Sequence, residues 1–233
     1  MTPAIAHPDE ARRFLDAHPE VAFVEVIFTA MSGVPRGKRL RRHELQAVFD
    51  SGRFLPGSIL VTDITGQDCE DTGLVWQDGD ADRIARPVPG TLVKAPWLGE
   101  DAAQVLTSMY ELDGTANDLD PRHVLGRVLD RFASSWLTPV VACELEYYLL
   151  DPRRTPDGGV QLAAPAGAAG ERPSLHGVYG LREMEDVSPF LRDLWAAADV
   201  QGVPLEGAIS EYAPGQVELT LKHGPDAVRA ADE

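Results

Sequence analysis

The chain of 233 residues is long enough to bury a core, and 44% hydrophobic and 25% charged residues are typical of a soluble globular protein. Its formal net charge of −16 argues against nucleic-acid and anionic-membrane partners, because both bind basic surfaces. Cys69 and Cys143 lack zinc-ligand spacing, so we expect neither a disulfide framework nor a thiolate metal site.

The sequence also bears on the cellular compartment. No apolar run approaches the length of a membrane span, and residues 1–18 lack the basic start and apolar core of a secretory signal. We therefore predict a cytoplasmic protein without membrane contact. In a reducing cytoplasm Cys143 is expected to be a small buried residue.

The first elements are predicted to be a helix and a β-hairpin. Residues 8–18 place Pro in the first turn and acidic residues near the start, as helix N-termini do. Residues 21–28 are β-branched and aromatic, and Gly33 turns the chain into a second, basic strand. A phosphate loop is the alternative, but the spacing does not match G-x-x-x-x-G-K-[ST], because Arg39 occupies the hydroxyl position. We favour the basic hairpin.

A small β-rich domain is predicted to continue from there. A helix is expected over residues 42–49, closed near Gly52. Gly, Pro and Asp turns then separate several short strands. These strands are predicted around residues 59–61, 73–76, 91–93 and 104–110.

The second half is predicted to alternate helices and strands. Asp120 and Pro121 begin a helix as N-cap and first helical residue. A strand follows over residues 140–150, and residues 151–173 are expected to form a mobile surface loop without chemistry. A second helix is predicted from Ser188, ending before Gly202. Two strands, at residues 204–210 and 216–221, then flank a Pro-Gly bend.

Four glutamates in this half suggest a metal site. Glu144 and Glu146 are two residues apart on one strand, so they share a face. Glu211 and Glu218 lie on either side of the Pro-Gly bend. A solvated edge strand is the alternative reading, but the runs preceding Glu144 and Glu211 show no polar alternation, so we expect buried carboxylates that need a partner. Neighbouring strands would then form an oxygen-rich site for Mg²⁺ or Mn²⁺.

These residues also carry a family resemblance. The segment Glu206–Glu218 resembles the E-x4-E-x-A-P-G-Q-x-E block of class I glutamine synthetases, and Glu144-Leu145-Glu146 resembles their E-x-E strand. Residues 66–97 and 109–125 look most like the gamma-glutamylpolyamine synthetase branch. The resemblance runs from about residue 20 to the last residue.

The resemblance implies an α+β fold in two parts. Residues 1–112 are expected to form an N-terminal β-grasp domain with a leading helix. Residues 113–233 are expected to form the first half of a glutamine synthetase-type catalytic domain, with a curved antiparallel sheet and helices. Family members assemble as double-ringed homo-oligomers, so the same assembly is the expectation for a full-length protein.

The resemblance also implies site roles. One metal of the family lies nearer the glutamate substrate, and its ligands are matched by Glu146, Glu211 and Glu218. Glu146 also matches a substrate-binding position. Glu144 matches a ligand of the second metal, which holds the ATP phosphates. Glu206 and His223 match nucleotide-contacting positions, with a surface pair at a strand end as the alternative. The other histidines have no ligand-like neighbours and are expected at the surface; they are His7, His18, His43, His123 and His176.

The implied reaction is the phosphorylation of the glutamate γ-carboxylate by ATP, followed by displacement of phosphate by an amine. In glutamine synthetases an Asp before a Gly-Ser-Ser helps bind ammonium, whereas this chain reads Leu55-Pro56-Gly57-Ser58-Ile59. Ala30 and Ser32 also replace the Asp and Asn of many relatives. These departures favour a polyamine or another amine over ammonia.

The remaining family motifs all follow the position that matches residue 233. They include a His and a late Glu metal ligand, the arginines that hold substrate and phosphate, and the ATP-site Lys-Pro block. We therefore expect an N-terminal half that is inactive alone. The alternative is a non-catalytic metal-binding or assembly module derived from the family. A Ca²⁺-binding domain is disfavoured because no D-x-[DN]-x-[DN]-G loop is present.

Overall fold

The computed structural model describes residues 4–165, 171–174 and 176–233. Contacts between residues divide the chain into two compact units, with the division between Thr138 and Pro139. The family resemblance implies a domain boundary between residues 112 and 113 instead, and that boundary stays a prediction. No helix in the described part of the chain combines the length and apolar character needed to cross a bilayer.

In its described residues, the first unit contains one mixed sheet and three α-helices. The sheet has the order β2-β1-β6-β4-β3, with β5 also paired to β6. Strands β1 and β6 run parallel, and the other pairs are antiparallel. The elements are α1 (Pro8–Ala17), β1 (Phe23–Thr29), β2 (Pro35–Arg41), α2 (Leu45–Ser51), β3 (Arg53–Pro56), β4 (Asp82–Pro87), β5 (Val93–Lys94), β6 (Ala102–Tyr110) and α3 (Pro121–Ser134).

The core of the first unit lies between α1, α2 and one face of the sheet. Alternate residues of β1, Val24 and Val26, are at most 3% exposed, as the period of two in a strand requires. They pack with Leu45 and Phe49 of α2 and with Val105 of β6. The predicted leading helix, basic hairpin and α2 are therefore confirmed, and α2 ends at Gly52 as expected.

Two predicted strands of this unit are wrong. Residues 57–60 form a short 3-10 turn, and residues 73–76 form turns. The apolar run around Leu60 reflects burial of a turn, since Leu60 is 0% exposed. Strand β4 was not predicted, because charged residues on either side of the buried pair Ile84 and Ala85 interrupt the apolar pattern of the strand.

Helix α3 begins as predicted, at Pro121 after the N-cap Asp120. The Asp120 carboxylate accepts hydrogen bonds from the backbone N–H groups of Arg122, His123 and, at 2.7 Å, Met109 of β6. The expectation that His123 lies at the surface is wrong. Its side chain is 2% exposed because the ring packs edge-on against Tyr110, and its Nδ1 lies 3.1 Å from the Asn117 carbonyl oxygen. His7, His43 and His176 are exposed, as predicted.

Outside residues 166–170 and 175, the second unit contains a three-stranded antiparallel sheet of order β7-β9-β8. Helix α4 packs against β8. All three predicted strands are confirmed, with β7 shorter than predicted. The elements are β7 (Glu144–Tyr148), α4 (Leu181–Gln201), β8 (Leu205–Ser210), β9 (Gln216–Leu221) and α5 (Ala227–Asp232).

The predicted start of α4 at Ser188 is wrong, because the helix begins at Leu181 and continues through Pro189. Proline lacks an N–H and usually interrupts a helix. Here the Ser188 hydroxyl donates to the Met184 carbonyl oxygen at 3.1 Å, which supplies a local bond one residue before the proline. The predicted end is confirmed, since Gly202 follows the last turn with a φ of 68°.

Candidate metal centre

The register between β7 and β9 brings the predicted carboxylates to one face of the sheet. Glu146 lies directly opposite Glu218, and Glu144 lies opposite Thr220. Directly opposed residues of an antiparallel pair project to the same side, and so do residues two apart on one strand. Glu144, Glu146 and Glu218 therefore share a face, as the sequence spacing predicted for the first two.

The opposite face of β9 explains why Glu218 projects away from the core. Val217, Leu219 and Leu221 are at most 4% exposed, while Gln216, Glu218 and Thr220 are partly exposed. Burial of the three apolar side chains fixes the register, because a slip of one residue would place Glu218 in their position.

The Pro-Gly bend between β8 and β9 positions Glu211 next to these strands. The Glu211 N–H donates to the Gln216 carbonyl oxygen at 2.9 Å, and the Gln216 N–H donates to the Ala213 carbonyl oxygen at 2.9 Å. Gly215 takes a φ of 75°, which favours glycine. The Glu211 carboxylate also accepts from the Tyr212 N–H at 2.9 Å.

The Gln216 side chain connects this bend to β7. Its amide nitrogen donates to a carboxylate oxygen of Glu146 at 2.6 Å, and its amide oxygen accepts from the Ala213 N–H at 3.1 Å. Gln216 therefore holds Glu146 in position from the bend. This hydrogen bond gives Gln216 a positioning role.

The other three glutamates act electrostatically on Glu218. The pKa of Glu218 is raised above its ordinary value, first by desolvation and then by the charges of Glu144, Glu211 and Glu146. A hydrogen bond to the Glu211 side chain raises this pKa further. These neighbouring charges disfavour the ionised form of Glu218. A bound cation would stabilise that ionised form.

The donor set fits a hard divalent cation, because carboxylate oxygens are the ligands that Mg²⁺ and Mn²⁺ prefer. The carboxylates are neighbours without forming a closed ligand cage. In the part of the chain that the structure describes, no group of three or more His, Cys, Asp or Glu side chains has the arrangement needed to hold a metal ion.

The expectation that these glutamates are buried is wrong. Glu144 and Glu146 are exposed, and Glu211 and Glu218 are partly exposed. Strand β7 is an edge strand, so its apolar residues are open as well, with Leu145 50% and Tyr148 44% exposed. Cys143, expected to be buried, is exposed beside this edge.

The two predicted nucleotide-contacting residues lie at the margins of the same sheet. Glu206 is exposed on β8, within the irregular pairing between Leu205 and Ala208. His223 is exposed two residues after the end of β9. Both assignments stay predictions.

The segment predicted to be a loop without chemistry contains an ion-pair cluster that sequence reasoning missed. The Asp151 side chain is 6% exposed and pairs with Arg153 at 3.0 Å and Arg172 at 2.7 Å. Hydrogen bonds from Arg153 are the main cause that holds the pKa of Asp151 well below its usual range. Residues 166–170 of the predicted loop lie outside the described residues.

A known family and known structures match this sequence and fold. A family model described as glutamine synthetase, catalytic domain, matches residues 118–233, the part that carries all four glutamates. Through this match the chain belongs to the glutamine synthetase family.

Among curated relatives, the chain is 34% identical over 228 residues to gamma-glutamylputrescine synthetase of Escherichia coli (strain K12), covering 98% of the chain and 48% of that enzyme. It is 28% identical over 235 residues to glutamate–isopropylamine ligase of Pseudomonas sp, covering 96% of the chain and 48% of the relative. The chain thus spans about half the length of these relatives. Members of the family, including these relatives, are ligases.

Solved structures show the same fold. GmaS without ligand matches with a TM-score of 0.71 and 21% identity, over 94% of this chain and 46% of that one. A novel glutamine synthase homolog matches with a TM-score of 0.70 and 23% identity, over 91% of this chain and 46% of that one. The chain therefore has a glutamine synthetase-like fold, with antiparallel and mixed sheets and helices.

Proposed function

We propose that the chain is part of an ATP-dependent glutamate–amine ligase that forms a gamma-glutamyl phosphate intermediate. The observation that carries this proposal is the register that places Glu146 opposite Glu218, with Glu144 and Glu211 close enough to perturb Glu218. Three carboxylates on one sheet face and a fourth at the adjacent bend suit divalent cations, and phosphoryl transfer depends on such charge neutralisation.

The residue roles follow the strands on which the residues lie. Glu146, Glu211 and Glu218 would hold one Mg²⁺ or Mn²⁺ on the glutamate side, and Glu144 would hold a second on the ATP side. Bound cations would neutralise the phosphate oxygens. Gln216 orients Glu146 through its 2.6 Å hydrogen bond. Glu206 and His223 would contact the nucleotide at the margins of the sheet.

The acceptor is proposed to be a polyamine or another organic amine rather than ammonia. The segment Leu55–Ile59 carries no carboxylate to hold a small ammonium ion. The relatives named above supply independent support, because one is named for putrescine and the other for isopropylamine. A homo-oligomer is proposed for the full-length protein on the family resemblance alone.

Phosphate release from ATP tests the proposal. Glutamate and Mg²⁺ are supplied with putrescine, isopropylamine or ammonium in turn, to the 233-residue chain and to any longer protein that contains it. We expect a protein of the relatives' length to release phosphate faster with an organic amine than with ammonium. Faster release with ammonium would instead indicate ordinary glutamine synthesis. Divalent-metal binding without phosphate release under any condition would favour the non-catalytic binding or assembly module.

A further inference from the structure

The chain folds back after β7, the strand that carries two of the proposed metal ligands. The Ala163 N–H donates a hydrogen bond to the Leu149 carbonyl oxygen at 2.8 Å. The Asp151 N–H donates to the Gln161 carbonyl oxygen at 3.0 Å. The returning chain is therefore fixed by backbone hydrogen bonds to the extension of β7.

The Asp151 carboxylate ties this returning chain to a later segment. It lies 2.7 Å from the Arg172 guanidinium, whose Nε also donates to the Gln161 side-chain oxygen at 3.1 Å. Arg153 pairs with the same carboxylate at 3.0 Å, but its side chain is 81% exposed, whereas that of Arg172 is 27% exposed. A nearly buried carboxylate depends on such partners, because desolvation disfavours an unpaired charge. Arg172 is the partner that brings in a distant part of the chain.

Residues that follow Arg172 lie against the Pro-Gly bend between β8 and β9. Pro173 packs so closely on Gly215 that a Cβ added to this glycine would lie 3.2 Å from the proline ring. The His176 Nδ1 lies 2.8 Å from the Tyr212 carbonyl oxygen, and the centres of the two rings are 5.0 Å apart. The bend therefore rests on the segment that Arg172 holds.

The same bend positions part of the proposed metal centre. It begins at Glu211 and closes at Gln216, whose side chain donates to Glu146 at 2.6 Å. We infer that the ion pair between Asp151 and Arg172 is a positioning device for the metal centre, because it holds the segment on which this bend rests. Groups outside the ligand shell commonly orient metal ligands in this way. Glu146 and Glu211 are metal ligands only in the proposed function, on which this role of the ion pair depends.

Two measurements on the 233-residue chain test the role of the ion pair, and one of them needs no metal. Hydrogen exchange of the Gln216 amide reports on the bend, because this amide donates to the Ala213 carbonyl oxygen at 2.9 Å. Electron paramagnetic resonance of free Mn²⁺ reports on the metal centre. Arg172→Ala should speed the exchange about fivefold or more, since the bend loses its support. It should also raise the Mn²⁺ dissociation constant about threefold to tenfold, since ligand positions are loosened.

Arg153→Ala is the matched control. It removes a cation from the same Asp151 carboxylate without altering the segment that bears Pro173, so it should leave both measurements unchanged. Arg172→Lys retains the positive charge and should restore most of the wild-type exchange and affinity. Pro173→Ala keeps the ion pair but removes the ring from Gly215, and it should also speed the exchange. Far-UV circular dichroism verifies that each variant is folded.

Three results would overturn the positioning role. They are equal changes in Arg172→Ala and Arg153→Ala, wild-type exchange in Arg172→Ala, and faster exchange in Arg172→Ala with an unchanged Mn²⁺ dissociation constant. Failure of the proposed metal centre gives a different result, because the wild-type chain then binds no Mn²⁺. Faster exchange confined to Arg172→Ala would in that case still support the ion pair as the element that holds the bend.

Discussion

The two units of the chain differ in how they bury their apolar residues. In the first unit, α1 and α2 cover one sheet face, and Val24, Leu45 and Val105 are fully buried. In the described part of the second unit, the buried apolar side chains are Leu191, Ala198, Val217, Leu219 and Leu221. Its edge strand β7 leaves Leu145 half exposed. The first unit therefore has a core covered by helices, while the second presents the carboxylates of the proposed site.

The largest expected effect is on the core of the first unit. Phe49 is 2% exposed and packs within this core, so Phe49→Ala should lower the free energy of unfolding by about 3 to 5 kcal/mol. Urea unfolding followed by circular dichroism measures the change. Phe54→Ala is the matched control, because Phe54 is 55% exposed. Equal losses in the two variants would mean that the core is not where the stability lies.

A smaller effect is expected where α3 begins. Asp120→Ala removes the acceptor of three backbone N–H groups, one of which belongs to buried Met109. Loss of the cap and an unsatisfied buried donor together should cost about 2 to 4 kcal/mol of unfolding free energy. Urea unfolding again measures the cost, with Asp118→Ala as a control, since the Asp118 side chain is 90% exposed. A cost below that of Asp118→Ala would contradict the capping role.

A substitution in the bend between β8 and β9 should have a smaller effect on stability than the two above. Gly215 has a φ of 75°, and an added Cβ would lie 3.1 Å from Leu162 and 3.2 Å from Pro173. Gly215→Ala should therefore destabilise the unit by about 1 to 2 kcal/mol. Hydrogen exchange of the Gln216 amide, which donates to Ala213, measures this locally. Gly224→Ala, with open space and no positive φ, serves as the control. Unchanged exchange in Gly215→Ala would show that the bend tolerates a side chain.

The smallest effect concerns pH and the surface of the first unit. A hydrogen bond from Lys94 is the main cause that lowers the pKa of Glu20 from 4.5 to about 2. A depressed carboxylate pKa stabilises the folded state above pH 4.5, and that stabilisation is lost as pH falls towards 2. Thermal unfolding between these pH values should therefore show a gap between wild type and Glu20→Gln that closes on acidification. A difference in melting temperature that stays constant with pH would argue against the Lys94 contact.

The sequence predicted local features better than burial. The E-x-E spacing placed Glu144 and Glu146 on one face, and β-branched and apolar runs located β7, β8 and β9. Exposure of the glutamates could not be read from these runs, because it depends on which strand forms the sheet edge. His123 was misplaced because its burial comes from Tyr110, thirteen positions away in the chain. The extension of α4 before Pro189 was missed because proline usually marks a helix start.

The sheet face with Glu144, Glu146 and Glu218, together with Glu211 at the adjacent bend, is proposed to bind a divalent cation. Electron paramagnetic resonance of free Mn²⁺, titrated with the chain, measures this directly. We expect saturable binding that Glu146→Gln and Glu218→Gln each weaken about tenfold or more, while Asp199→Asn, exposed on α4, leaves it unchanged. Equal Mn²⁺ binding by wild type and all three variants would contradict the proposed metal site.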